Sequence, residues 1–278
     1  MASAAAPRLL LGRRVMPGLG LTLGVTLAVL GVVVVVPLVA VLARAAGAGW
    51  GGLAALSSPR AVAAFRVSFG AAALAALANV PIGLLLAWVL TRYRLPGRRV
   101  LDALVDLPFA LPTAVAGIAL TTLYADSGWI GALLAPLGLQ VAYTPAGIWV
   151  ALLFVGLPFV VRTVQPVLAG LDRAQEEAAM VLDGSALQVF RWVILPPLLP
   201  AVLTGAALAF ARGIGEYGSV IFIAGNRPGL SEVVPLLIVI RLEGFDTPGA
   251  ALLGAAMLVL SAALLLLIHG LDRWGRAR

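Results

Sequence analysis

The 278-residue sequence contains no cysteine, no lysine and only one histidine. Without cysteine there can be no disulfide, no thiolate nucleophile and no cysteine-ligated metal. Without lysine there is no Walker A loop, whose Gly-Lys-Ser/Thr run holds nucleotide phosphates. Any nucleotide that drives this chain must therefore sit on another subunit. One histidine, with neither an HExxH nor a GxSxG pattern, leaves no catalytic constellation to assemble, and the chain is expected not to be an enzyme. Charge is scarce too: 11% of the residues are charged, against about 25% in a soluble domain. So few charges cannot cover a water-facing surface.

What fills the sequence instead is apolar. Ala, Val, Ile, Leu, Met, aromatic and related residues make up 62% of it, with a mean hydropathy of +1.08. Six stretches approach or exceed the roughly 20 apolar residues needed to cross a bilayer. The expected architecture is all-α integral membrane with about six transmembrane helices, near 15–43, 67–91, 107–124, 143–166, 196–224 and 247–271. Residues 1–14 and 272–278 are expected as terminal tails, and 167–195 as the longest loop on the cytoplasmic side. All basic residues are arginine, clustered in short loops between the apolar runs, which marks topology and not nucleic acid. Clusters such as Arg13-Arg14, Arg92 to Arg99 and Arg273 to Arg278 fall on one side, so both termini are expected in the cytoplasm. Arg66 and Arg162 flank spans two and four and are expected to reach toward the interface. Asp102 and Asp106 are expected to pair with nearby Arg98 or Arg99.

The loop between spans four and five encodes two short helices. Asp172 can cap the first, whose opening turns hold Glu176 and Glu177, charges suited to a helix N-terminus. Asp183-Gly184 supplies a turn in which Gly184 can take a positive φ. The second helix begins near Ser185, with Leu187, Phe190 and Val193 at helical spacing. Pro196 and Pro197 then mark the start of span five, where a missing N–H does no harm. Two short helices with an apolar face and carboxylates form a docking surface for a cytoplasmic partner.

This loop resembles the EAA loop of binding-protein-dependent ABC importer permeases, with the pattern Glu-Ala-Ala, three residues, Gly, nine residues, Ile-x-Leu-Pro. Here Glu177-Ala178-Ala179 and the run ending in Leu195-Pro196 fit that spacing, while Asp183 stands in the glycine position and Gly184 follows it. Span five and its sequel, residues 210–246, are similar to the T-type permease subunits of bacterial sulfate/thiosulfate importers. The resemblance implies a type I ABC importer permease (MetI-like) fold and a heterodimer with a second permease subunit. It also implies two cytoplasmic ATPase subunits that bind ATP and Mg, a periplasmic sulfate-binding protein, and a place in the cell inner membrane with no cofactor in this chain. Glu176, Glu177, Ala178, Ala179, Asp183, Gly184, Leu195 and Pro196 are then the candidate ATPase-coupling residues. A molybdate or tungstate permease is the neighbouring alternative, and an ion-gradient-driven secondary anion transporter a more distant one.

Inside span five, Arg212 and Glu216 stand four residues apart and so share a helical face. Intramembrane charges are a functional-site hypothesis by default. One reading lines the anion path with Arg212, moderated by Glu216, with Tyr217 and Ser219 adding hydrogen bonds. The other makes the charges a structural lock. Arg-before-Glu is the weaker order along a helix, which favours partners on other helices.

Overall fold

In the computed structural model of the chain, residues 19–276 are described. The expected tail 1–14, the first few residues of span one and the last two residues of the tail 272–278 lie outside them. Helices α1 (Leu19–Leu30) and α2 (Val36–Ala46) are joined through a π-helical turn into one rod, followed by the short α3 (Gly49–Leu56). α4 (Pro59–Arg92) is the longest helix and leads to α5 (Arg98–Ala110) and α6 (Thr113–Tyr124). A single turn of helix, α7 (Gly131–Leu134), precedes α8 (Pro145–Gly170). The loop before span five forms α9 (Arg173–Val181) and α10 (Ala186–Val189). α11 (Leu195–Ile214), α12 (Val220–Ile223), α13 (Val234–Glu243) and α14 (Thr247–Arg276) complete the chain. Among the described residues, five helical rods are long and apolar enough to cross a membrane, and a sixth crossing results if the bent pair α5–α6 counts as one. The chain is a multi-pass membrane protein.

The core is the packing of α4 against α8 and α11. α4 starts with Ser58, whose side chain accepts from Ala61 N, and with Pro59 in the first turn. Its buried stripe is mostly small residues, Ala61, Ala64, Ser68, Ala72, Ala75, Ala76, Gly83 and Ala87, with Asn79 and Leu90 among them. In lipid no hydrophobic drive holds helices together, so close backbone approach over small residues does that work. A Cβ on Gly83 would lie 2.7 Å from the Val160 side chain of α8. One on Gly205 of α11 would strike Thr163 and stand 2.8 Å from the Val160 backbone. α14 lies beside this core, against α2, α3, α11 and α13.

Several expected boundaries change. The span at 107–124 is not one helix: α5 and α6 meet at 113°. Pro112 disfavours helical backbone at the residue before it, and Leu111 is accordingly extended at φ −80, ψ 135. The span at 196–224 ends early, at Ile214, and the chain breaks at Gly215 before α12 resumes. At its other end it begins early, because α10, a π-helical turn at Phe190–Ile194 and α11 form one 29-residue rod, Ala186–Ile214. The second short helix of the loop is thus the first part of span five. The last helix likewise runs past 271 to Arg276.

Candidate functional site

The loop that holds α9 and α10 is built from local capping. Asp172 accepts from Ala174 N and starts α9. Ser185 and Gln188 form a reciprocal capping box at the start of α10. Between them α9 closes in a Schellman turn: Asp183 N donates to Met180 O and Gly184 N to Ala179 O, both at 3.1 Å. The left-handed residue is Asp183, at φ +60, and not Gly184. Aspartate tolerates that conformation better than most residues. Gly184 has a different task, since a Cβ there would lie 2.6 Å from the Ala179 carbonyl oxygen.

This turn sorts the loop's side chains. Val189 and Ile194 are buried, and Ala179 and Phe190 pack against the inner core cluster. Met180, Val181, Leu182, Leu187 and Trp192 stay open, with Val181 and Leu182 each 83% exposed. Glu177, Ala178, Asp183 and Pro196 are exposed, while Gly184 and Leu195 are half-buried. Glu176 points the other way, into an ion pair with Arg92 at the end of α4. The arrangement offers an apolar surface edged by Glu177, held from behind by α4.

The second candidate group sits where span five breaks. Gly215 ends α11, and Glu216 turns back so that its carboxylate meets Arg212 Nη1 at 2.5 Å. The pair is therefore made within span five, although the sequence order favoured partners on other helices. Closure of the helix at Gly215 explains this, because Glu216 no longer follows α-helical geometry. The Glu216 side chain is 1% exposed and that of Arg212 36%. Glu216 Oε1 also accepts from Ser219 N at 2.9 Å and Ser219 Oγ at 3.0 Å. Ser219 is fully buried, so its hydroxyl is committed to Glu216, and Tyr217 packs against the neighbouring apolar cluster. Of Arg212, Glu216 and Ser219, Arg212 keeps the greatest access to open space.

The broken span α5–α6 closes around this turn. A Cβ on Gly117 of α6 would lie 2.5 Å from the Ser219 carbonyl oxygen, and one on Gly218 would strike Thr113. α5 is fastened by Arg162 of α8, which donates to Asp106 Oδ1 and Oδ2, to Asp102 Oδ1 and to the Asp102 carbonyl at 2.6–2.8 Å. Asp102 and Asp106 were expected to pair with Arg98 or Arg99. Their spacing of four places them on one face, and α8 brings Arg162 onto it, so Arg162 bonds inside the protein. Two further groups gave little sequence signal. Glu232 is buried under a two-pronged bond from Arg60, at 2.8 and 2.6 Å. Asn79 is fully buried in α4 with neither amide atom hydrogen-bonded.

Residues 79–277 match the family described as binding-protein-dependent transport system inner membrane component. The sulfate transport system permease protein CysT of Escherichia coli strain K12 is 47% identical over 266 residues, covering 95% of this chain and 96% of that one. The protein of that name from Synechocystis is 47% identical over 91% of this chain and 88% of the relative. Among solved structures, a bacterial ABC transporter that imports alginate has a chain with TM-score 0.75 at 17% identity, covering 92% and 94% of the two chains. A second structure of a bacterial alginate transporter, with its pentasaccharide-bound periplasmic protein, gives the same score.

Proposed function

We propose that this chain, which belongs to the family of binding-protein-dependent transport system inner membrane components, is the membrane-spanning subunit of an ATP-driven sulfate/thiosulfate importer. It pairs with a second permease subunit, and two ATPase subunits that bind ATP and Mg dock on the cytoplasmic side. A periplasmic sulfate-binding protein delivers the anion. Both termini lie in the cytoplasm. The observation that carries the transport reading is the α9–α10 loop, which is capped at both ends, anchored to the core, and open along Val181, Leu182 and Leu187. An exposed apolar patch of this kind marks a protein interface. The sulfate relatives favour that anion over molybdate or tungstate, and a gradient-driven carrier has no use for the loop.

In this reading the ATPases draw the loop inward as they close on ATP, and the helices behind it change their tilt to expose the anion path to one side of the membrane at a time. Glu177 meets the ATPase surface, and the open apolar residues fill its groove. Arg212 lines the path with its free guanidinium edge. Glu216, fixed by Ser219, offsets the arginine charge so that a dianion is attracted without being trapped.

The test is radiolabelled sulfate uptake by cells lacking their own sulfate permeases. This chain is expressed with its ATPase, second permease and binding protein, each omitted in turn. Uptake is expected to need every component and to be blocked by excess thiosulfate and not by molybdate. Uptake without the ATPase would overturn the ABC reading, and preferential block by molybdate would overturn the substrate.

A further inference from the structure

α4 is a continuous rod of 34 residues, roughly 50 Å at 1.5 Å per residue. Its last residue is Arg92, and three contacts converge there. The guanidinium forms an ion pair with Glu176 of α9, and the two side chains are only 11% and 15% exposed. It also lies over the Trp88 ring, one turn earlier, at 5.6 Å from the centroid. Trp88 in turn meets Phe190 edge-on at 6.0 Å, at the start of the π-helical turn that joins α10 to α11. Both arms of the cytoplasmic loop are therefore gripped by the last turn of α4. At the far end of the same rod, Arg60 holds Glu232 and Ser68 accepts from Val234 N, so α4 also carries the segment that opens α13.

We propose that Arg92 is the positioning residue through which movement of the cytoplasmic loop is transmitted to α4, and that α4 carries that movement to the outer segment held by Arg60. The inference rests on the importer reading and assigns the mechanical link within it. A charge-assisted bond in a largely dry setting is stronger than a neutral one and keeps α9 attached to the end of α4 as it moves. Arg92 Nε has no acceptor, so the grip is one charged bond plus a ring face, not a closed fork. Such a joint can pivot as α9 turns.

The experiment uses the whole complex in proteoliposomes, measuring ATP hydrolysis and sulfate import together. Arg92→Ala is expected to keep hydrolysis within about twofold while lowering sulfate imported per ATP by about tenfold, within the range by which linking residues alter coupling. Glu176→Ala should give the same loss in the ratio, and the double variant no further loss, since residues acting as one link are non-additive. A wild-type ratio in R92A overturns the proposal, and so do additive losses. If the unaltered complex hydrolyses ATP but imports no sulfate, the substrate assignment falls separately. The link is then read from amide exchange in the same complex: faster exchange across Arg173–Val181 in R92A upholds it, and unchanged exchange overturns it.

Discussion

Removing the Glu216 carboxylate should be among the most damaging single changes in the membrane region. The side chain is 1% exposed, forms an ion pair with Arg212 Nη1, and accepts hydrogen bonds from Ser219 N and Ser219 Oγ. Glu216→Ala leaves both Ser219 donors without an acceptor in a fully buried residue, at about 1–3 kcal/mol each. It also leaves Arg212 without its counter-charge, although a side chain that is 36% exposed recovers part of that by solvation. Together these place the loss at about 3–5 kcal/mol, the range for breaking a buried ion pair. Glu216→Gln keeps an oxygen for Ser219 and exchanges a charged bond for a neutral one, so about 1–2 kcal/mol is expected. Reversible unfolding in mixed detergent micelles measures both. The reasoning fails if E216A lies within about 1 kcal/mol of the unaltered chain, or if E216Q is as damaging as E216A.

Other consequences follow from particular contacts. Asp183→Gly, which relieves a residue at φ +60, should stabilise the α9 turn by about 0.5–1 kcal/mol, and Asp183→Val should destabilise it by a similar or larger amount; amide exchange of 174–184 reads both. Gly117→Ala drives a methyl against the Ser219 backbone and should cost about 1–3 kcal/mol. Gly70→Ala, with nothing within 4 Å of the new atom, should be neutral or stabilising by up to about 1 kcal/mol. The Asp246 carboxyl, at the start of α14, is held below its ordinary value of 3.8, first by the Gly249 N–H and then by Arg241, with burial opposing. Its folded pKa is depressed, so its contribution is complete above the ordinary value and is lost as pH falls through the folded one. Acid titration of the α13–α14 turn should show this loosening, and Asp246→Asn should remove that pH dependence.

How much of this was readable in advance depended on whether the signal was local. Apolar runs located the spans because length and hydropathy decide crossing without reference to neighbours. The α9–α10 loop was readable for the same reason: Asp172, Ser185 and the Glu177-Ala178-Ala179 spacing act within a few residues. Pro112 carried the signal for the break between α5 and α6, but a clean apolar run from 107 to 124 concealed it. Partner choice was not readable. Arg92 and Glu176 are 84 positions apart, Arg60 and Glu232 are 172 apart, and no local pattern names either match. Asp102 and Asp106 show the limit well, since nearby arginines were available and α8 delivered a different one. At Asp183-Gly184 the sequence left open which residue takes the positive φ; Asp183 does, and Gly184 is needed for close approach to Ala179.

The same pairs explain why a chain with no lysine keeps its charges where it does. The core of α4, α8 and α11 holds itself together through small residues, but α5, α9 and the segment leading into α13 lie outside that stripe. Each is fastened by one arginine from a core helix: α5 by Arg162, α9 by Arg92 and the residues before α13 by Arg60. Arginine suits this because its planar fork bonds a carboxylate from two nitrogens and never loses its charge. Arg60 and Arg162 both use that fork, on Glu232 and Asp106. Lysine would give a point contact with freedom to rotate. An element joined through a fork moves with its helix instead of beside it. The charged residues therefore divide the chain into a rigid apolar core and peripheral elements that follow it, which is the division a subunit needs if force applied at a loop is to reorient a path through the membrane.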